Sequence, residues 1–334
     1  MITIEKYTSH KQFESYFNLV EQKYQNFETY SYFIGDLKKA IEYCFDNPYQ
    51  EVFLLKHETK IKLHAQLALI IDKRFPANEA FFGFFECVQE QSVFNELFAA
   101  IKLLAKEHGI EKLSGPVNGT IWHSYRLVIG SEEIYKPFLS DLLCESYYYQ
   151  WFKSKNPLEE IGYYSGMRKK TESLIHLTEP AYQSLVEKGL IVTILEAVSK
   201  PYLEQFFSIA HKSFSSSWGF VQLTFDEFVN LYNSEKVSSF ISLVYVVEWQ
   251  NQVVGFCTVL KQKQRWILKT MAIDPLHQGI GIGNALVHKI HSDAKVQGAN
   301  EVIYALIRDT NKIQFFPKDD AREIRRYACF TFKI

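Results

Sequence analysis

The chain has 334 residues, a formal net charge of -1 and a pI of about 6.8. That length exceeds one typical core and suggests about two domains, while the near-neutral balance excludes a broad nucleic-acid footprint. Hydrophobic residues make up 47% and aromatics 16% of the chain, enough for a large core. Yet no run approaches the roughly 18 apolar residues of a membrane span.

The densest basic stretch, Arg322–Arg326, is interrupted by Glu323 and reads as a solvated strand or loop face. Cys44, Cys87, Cys144, Cys257 and Cys329 are scattered and form no Cys-x-x-Cys pair. That is the usage of a reducing compartment. Met1–Lys11 lacks the apolar core of a signal peptide. The expectation is a cytoplasmic protein with no membrane and no nucleic-acid partner; Asn118-Gly119-Thr120 matches a glycosylation sequon that such a protein would never present.

In chain order, the apolar spacing is helical over Lys11–Tyr24 and Phe33–Phe45, with Gly35 a weak spot in the second. Glu51–Lys56, Ala65–Ile71 and Ala80–Cys87 read as strands, the second buried on both faces. Phe94–His108 is an amphipathic helix stopped by Gly109. Lys112–Ser114 is a short strand leading into the loop Gly115–Gly119. Leu139–Phe152 is apolar and Tyr-rich and fits helix or strand.

Strand signals lapse over Lys170–Gly189, where Pro180 falls, and the pattern then restarts. Leu190–Leu195 is a strand and Pro201–Phe214 a helix with Pro at its start. Thr224–Tyr232 is a second helix, opened by a Thr224/Glu227 capping box. Ser242–Glu248 and Val253–Leu260 are strands joined across Gln250-Asn251-Gln252. Arg265–Ile273 is the next strand, Ala285–Val296 an amphipathic helix, and Val302–Ile307 a last strand. Both halves thus follow nearly one order of elements, which predicts a chain of mixed α/β class, of the α+β kind. The first domain is expected over residues 1–175 and the second over 190–334.

The most informative segment is Trp266–Asn284 (WILKTMAIDPLHQGIGIGN). A strand ends at Asp274-Pro275; Gln278, Gly279, Gly281 and Gly283 follow; then a helix begins. Such a turn points several backbone N–H groups at one spot where the helix dipole favours an anion. Glycines let a diphosphate approach with no Cβ in the way. A P-loop would need Lys-Ser/Thr after the last glycine, where Asn284-Ala285 stand. A GxGxxG dinucleotide loop would need a glycine at Asn284 or Leu286, and its acidic partner has only Glu301, which begins a strand.

Gln278-Gly279-Ile280-Gly281-Ile282-Gly283 resembles the Gln/Arg-x-x-Gly-x-Gly/Ala loop of the GCN5-related N-acetyltransferases (GNAT). Met271–Pro275 resembles that family's strand end and Ala285–Gly298 its cofactor helix. The resemblance covers the second half of the chain and implies a tandem pair of such domains with a degenerate first copy, each a mixed, mostly antiparallel twisted sheet flanked by helices. In that copy Val88–Phe94 (VQEQSVF) stands where the loop would be, without a glycine and with Glu90, so it is expected to bind no CoA.

The resemblance implies an acyl-CoA co-substrate, most simply acetyl-CoA, and no metal. Its diphosphate would rest on the N–H groups of Gln278, Gly279, Ile280, Gly281, Ile282, Gly283 and Asn284, and its pantetheine arm would pair with Met271, Ala272 and Ile273. The Met271 N–H would stabilise the thioester oxygen as an amine attacks. Asn311 matches the family's Asn after the last parallel strand. The Tyr expected about two helical turns on, as acid for the thiolate, is replaced by Lys318, and Pro317 argues against a long helix there. Tyr327 is the substitute candidate, with Tyr304 similar; Glu248 and Asp309 are candidates for the base.

Trp218 falls in the region that lines the family's acceptor site. His123, Tyr125 and Arg126, in the cluster after the Gly115–Gly119 loop, are candidates for substrate binding. His288 and His291 lie three apart on the cofactor helix and read as a solvated face, not a metal site. Two functions stay open: an N-acyltransferase, most simply an acetyltransferase, acting on a small-molecule amine or amino acid, and an acyl-CoA-binding sensor or scaffold without catalysis. Oligomeric state is not specified by these residues.

Overall fold

A computed structural model describes residues 1–130, 136–169, 172–195, 197–232, 241–311 and 321–334. The chain divides into two compact units: Met1–Tyr163 with Gly219–Val221 and Arg326–Ile334, and Tyr164–Trp218 with Gln222–Arg325.

The first unit begins with β1 (Ile2–Lys6), a 3-10 turn at His10–Phe13, α1 (Glu14–Tyr24) and α2 (Tyr30–Asp46). The strands β2 (Gln50–Glu58), β3 (Leu63–Asp72) and β4 (Glu79–Cys87) form an antiparallel meander. α3 (Gln91–Glu107) then crosses to β5 (Lys112–Gly115), which pairs parallel with β4. Short β6 (Val117–Asn118), β7 (Ser124–Tyr125) and β8 (Leu127–Ile129) lead to α4 (Tyr147–Lys153) and β9 (Glu159–Arg168). The apolar, Tyr-rich stretch before β9 is thus resolved as helix over Tyr147–Lys153. Sheet, α3 and α4 share one core, in which Phe82, Phe94, Phe98, Phe152, Phe330 and Phe332 pack ring to ring. Two of these rings come from the end of the chain, which pairs antiparallel with β5 from Phe330↔Gly115 to Lys333↔Lys112.

β4 and β5 pair only over Glu79–Phe81 and Lys112–Ser114 and then part. The chain itself fills the gap. Gly83 lies so close to the Val117 carbonyl that a Cβ would come within 1.9 Å of its oxygen. The Phe84 N–H donates to Asn118 Oδ1 (2.6 Å), and Phe84 takes a φ of 47°. Only Val88–Glu90 separate β4 from α3, and Glu90 makes no side-chain cap. The first unit has neither an open strand edge nor a glycine turn at this place.

The second unit adds α5 (Glu172–Glu187), β10 (Leu190–Leu195), α6 (Lys200–Phe214), α7 (Phe225–Tyr232), β11 (Ile241–Trp249), β12 (Gln252–Gln262) and β13 (Arg265–Ile273). α8 (Ile282–Val296) and β14 (Glu301–Arg308) follow, and of β15 (Ala321–Lys333) the part up to Arg325 belongs to this unit and the rest to the first. β10 to β13 are antiparallel neighbours in sequence order, and β14 joins β13 in parallel. The β11–β12 hairpin turns on Gln250 and Asn251, both with positive φ (51° and 64°), as a two-residue turn matching strand twist requires. The capping box forms: Thr224 N–H donates to Glu227 Oε2 (2.6 Å) and Glu227 N–H to Thr224 Oγ1 (3.3 Å).

Three expectations are corrected. Glu172–Glu187 is helical with Pro180 inside it, not a lapse; a proline read as a breaker hid the helix. In β15, Arg325 is buried, so Arg322–Arg326 is not wholly a solvated face. His288 and His291 are buried too, at 4% and 0% exposure, because α5 covers α8. His288 Nδ1 bonds Thr178 Oγ1 (2.9 Å) and its ring stacks on Tyr182. His291 Nε2 bonds the Tyr304 hydroxyl (2.6 Å).

The close approach at Gly83 gives a direct test. Gly83→Ala should destabilise the first unit by about 2–3 kcal/mol, since backbone rather than a flexible side chain must move. Gly35→Ala, in α2 with nothing within 4 Å of its Cβ position, should stabilise it by about 0.5–1 kcal/mol. Urea unfolding of the two variants reads both signs.

His291 predicts a pH dependence. Burial, then the charges of Arg168 and His288, lower its pKa to about 3. The unfolded chain therefore takes up this proton first on acidification. The stability this group contributes is complete above about pH 6.5 and is lost as pH falls from there towards the folded value. Urea midpoints followed through that window should fall more steeply for the wild type than for His291→Gln.

Candidate functional site

The site is built where β13 and β14 part. Their parallel pairing runs from Arg265↔Glu301 to Leu268↔Tyr304 and stops. Leu306 takes a φ of 59°, and its N–H turns to Ser165 Oγ (3.0 Å). β13 meanwhile stays on β12 as far as Gly255↔Ile273, and the Asp274 N–H donates to Val254 O (2.8 Å). The alternation of an antiparallel ladder then turns the backbone groups of Ala272 towards β12 and those of Met271 and Ile273 to the other, open edge. The Ile273 carbonyl already accepts from Ser213 Oγ (2.7 Å) and Gln278 Nε2 (3.0 Å). Met271 is half-buried beside it.

Asp274 fixes the corner that follows. Its Oδ1 caps the Leu276 N–H (2.9 Å) and its Oδ2 pairs with Lys212 Nζ (3.1 Å). Burial works against this carboxylate, but the Leu276 N–H and Lys212 outweigh it and hold its pKa below the usual value. One short 3-10 turn, Pro275–His277, carries the chain to Gln278.

Gly279 and Gly281 both take positive φ, 83° and 99°. Two such residues bracketing Ile280 fold successive N–H groups towards one point, the geometry of an anion nest. Gly281 is the N-cap of α8 and offers no side chain to its first turn. The first intrahelical bond is Ala285 N–H to Gly281 O (3.0 Å). Among the described residues no hydrogen bond takes the N–H groups of Gly279, Ile280, Gly281, Ile282, Gly283 or Asn284. A Cβ at Gly279 or Gly283 would meet nothing within 4 Å, so the turn is open on its outer side. A row of unpaired N–H groups at the positive end of a helix is suited to a phosphate or diphosphate.

The other sequence candidates separate into groups. Glu248 is half-buried, faces Val253 across the β11–β12 hairpin and accepts from the Tyr202 hydroxyl (3.2 Å). Asp309 and Asn311 lie just past β14, where the Asn311 N–H closes a turn onto Arg308 O (2.8 Å). Trp218 is half-buried after α6. These lie in the second unit with the loop. Tyr304 is there too, buried and bonded to His291.

Tyr327 lies in the first unit. It is fully buried and donates its hydroxyl to Asp141 Oδ1 (2.7 Å). His123, Tyr125 and Arg126 are also in the first unit. His123 Nδ1 bonds Thr120 Oγ1 (3.0 Å), and its ring lies 4.4 Å from that of Tyr43. Lys318 and Pro317 fall outside the described residues. What sequence reasoning missed is the support: Ser213, Lys212 and Ser165, which hold the strand ends, carry no pattern signal.

Residues 241–318 match the family model of the acetyltransferase (GNAT) domain. Protein YghO of Escherichia coli strain K12 is 22% identical over 205 residues, covering 58% of this chain and 50% of that protein. The chain thus matches about half the length of this curated relative. A tandem GNAT protein from the clavulanic acid biosynthesis pathway superposes with a TM-score of 0.60 at 9% identity, over 100% of this chain and 98% of that one. A conserved protein of Enterococcus faecalis V583, described as a probable N-acyltransferase, gives 0.57 at 11% identity, over 99% and 72%. At such identities these two likenesses are of fold. Residues 241–318 are a GNAT acetyltransferase domain, in a chain with the fold of a tandem GNAT pair.

Proposed function

We propose that the protein is an acyl-CoA-dependent N-acyltransferase, most simply an acetyltransferase, that transfers its acyl group directly to an amine of a small molecule or amino acid. The observation that carries this reading is the row of unpaired N–H groups from Gly279 to Asn284 beside the open edge of β13. Bound acyl-CoA supplies an activated thioester. The amides of the loop hold the diphosphate, and Gln278, tied to the Ile273 carbonyl, fixes the turn against the strand end. The Met271 N–H, turned to the open edge, donates to the thioester oxygen as negative charge builds on it. Direct transfer needs no nucleophile on the protein.

The amine must lose a proton and the thiolate must gain one. Glu248 and Asp309 are assigned to the first task, directly or through water. Tyr327 would have to leave Asp141 to serve the second, which makes solvent the simpler donor. Trp218 is assigned to the acceptor side.

Calorimetric titration of the chain with acetyl-CoA, longer acyl-CoAs and free CoA tests this. One site per chain is expected. Gly281→Glu and Gly283→Glu each place a carboxylate at the nest and should lower affinity by at least about a hundredfold. Gly283→Glu is the cleaner variant, because Gly283 has an ordinary helical backbone and no neighbour within 4 Å. Unchanged affinity in a folded Gly283→Glu protein would overturn the assignment of the loop. An amine screen for thiol release then separates catalysis from acyl-CoA binding alone.

A further inference from the structure

The first unit encloses a charge that has no counter-charge among the described residues. A cavity of about 50 Å³ lies among residues of α1, α2, β4 and the segments around β7, β8 and α4. Among the described residues two charged side chains reach it, Glu86 and Arg126. Glu86 is provided for: its Oε2 accepts from Lys23 Nζ (3.0 Å), the Tyr148 hydroxyl (2.8 Å) and the Tyr24 hydroxyl (3.3 Å). With Lys23 it makes a neutral, hydrogen-bonded pair.

Arg126 is not provided for. It is 7% exposed, and no carboxylate among the described residues pairs with it. Its guanidinium lies over the rings of Tyr125 (3.4 Å) and Tyr163 (4.2 Å) and bonds their hydroxyls. Its Nε–H has no acceptor among the described residues. Burial lowers its pKa, but a guanidinium keeps its charge in a protein. A buried cation lacking a counter-charge is destabilising, and its planar fork is matched to a carboxylate.

The rest of the lining suits the same ligand. Ser124 Oγ accepts from Asn118 Nδ2 (2.7 Å), which leaves its own O–H to donate. Phe33, Leu37, Leu142 and Leu143 form apolar wall. We propose that this cavity binds a small organic monocarboxylate, its carboxylate on the Arg126 Nε–H and the Ser124 hydroxyl and its apolar body against the leucines. One guanidinium balances one negative charge. A phosphate dianion would bring a second charge with no partner into the same apolar surroundings. The site belongs to the first unit and the acyl-CoA loop to the second, and its test needs no acyl-CoA.

The experiment is NMR titration of the full chain with acetate, butyrate and benzoate, with their amides and inorganic phosphate as controls, at constant ionic strength. At least one carboxylate should bind saturably, and its amide at least about tenfold more weakly. Arg126→Gln should weaken that carboxylate by about tenfold or more. Leu142→Phe keeps the cation but narrows the cavity, so it should weaken the bulkier carboxylates more than acetate. No saturable carboxylate binding would overturn the proposal, as would equal affinity for acid and amide or phosphate binding as tightly as the carboxylates. If Arg126→Gln does not fold, the comparison of acid with amide and the Leu142→Phe variant decide.

Discussion

A helix cannot satisfy the N–H groups of its own first turn, and the second unit leaves those of α8 without any side-chain cap. Most proteins place Ser, Thr, Asp or Asn at such a position. Here Gly281 stands there with a φ of 99°, preceded by Gly279 at 83°. Both conformations are disfavoured for residues with a Cβ, and glycine raises the entropy lost on folding. Under the proposed function, a bound diphosphate would supply the partner that these amides lack. The surrounding devices serve the same corner: Asp274 capping Leu276, Lys212 on Asp274, and Ser213 with Gln278 on the Ile273 carbonyl.

The first unit uses the same layout and resolves it in the opposite way. Its central strands also pair briefly in parallel and then part. The opening is closed by Val117 and Asn118, whose carbonyl and amide groups sit against Gly83 and Phe84. No extended ligand could add along β4 without expelling them. The glycine has changed its task accordingly. In the second unit Gly279 and Gly283 leave the outer side of the turn open, whereas at Gly83 the glycine admits the chain's own backbone.

Much of the second unit was legible because its signals are local. A capping box, a two-residue hairpin turn and alternating glycines each lie within a few residues. The Gln278–Asn284 loop could be read the same way, since backbone amides need only glycine and a helix start to be aimed. Parts of the fold that depend on distant pairing could not be read. α5 was masked by Pro180, and without it His288 and His291 looked solvated. Tyr327 could be read as an acid candidate because the partner that holds its hydroxyl, Asp141, is far away in sequence. The supporting polar side chains at the corner, such as Lys212 and Ser165, act through single contacts that no periodicity marks.

The polar interior of the first unit bears on whether that unit is only a scaffold. Glu86, Lys23, Tyr24, Tyr148 and Arg126 are all largely buried, and Gln66, on the strand next to Glu86, is fully buried with neither amide atom bonded among the described residues. Breaking one partner out of such a set is strongly destabilising, yet replacing the whole set by apolar residues of similar volume is often neutral or stabilising. A unit that serves only to pack gains nothing from keeping these groups. The neutral Glu86–Lys23 pair could still be a specificity device of the core. Arg126 cannot be one, because it has no opposite charge in the described structure whose position it could fix. Its rings are those of Tyr125 and Tyr163, which orient the guanidinium without neutralising it. An oriented, buried cation without a counter-charge among the described residues is what the proposed carboxylate site would use.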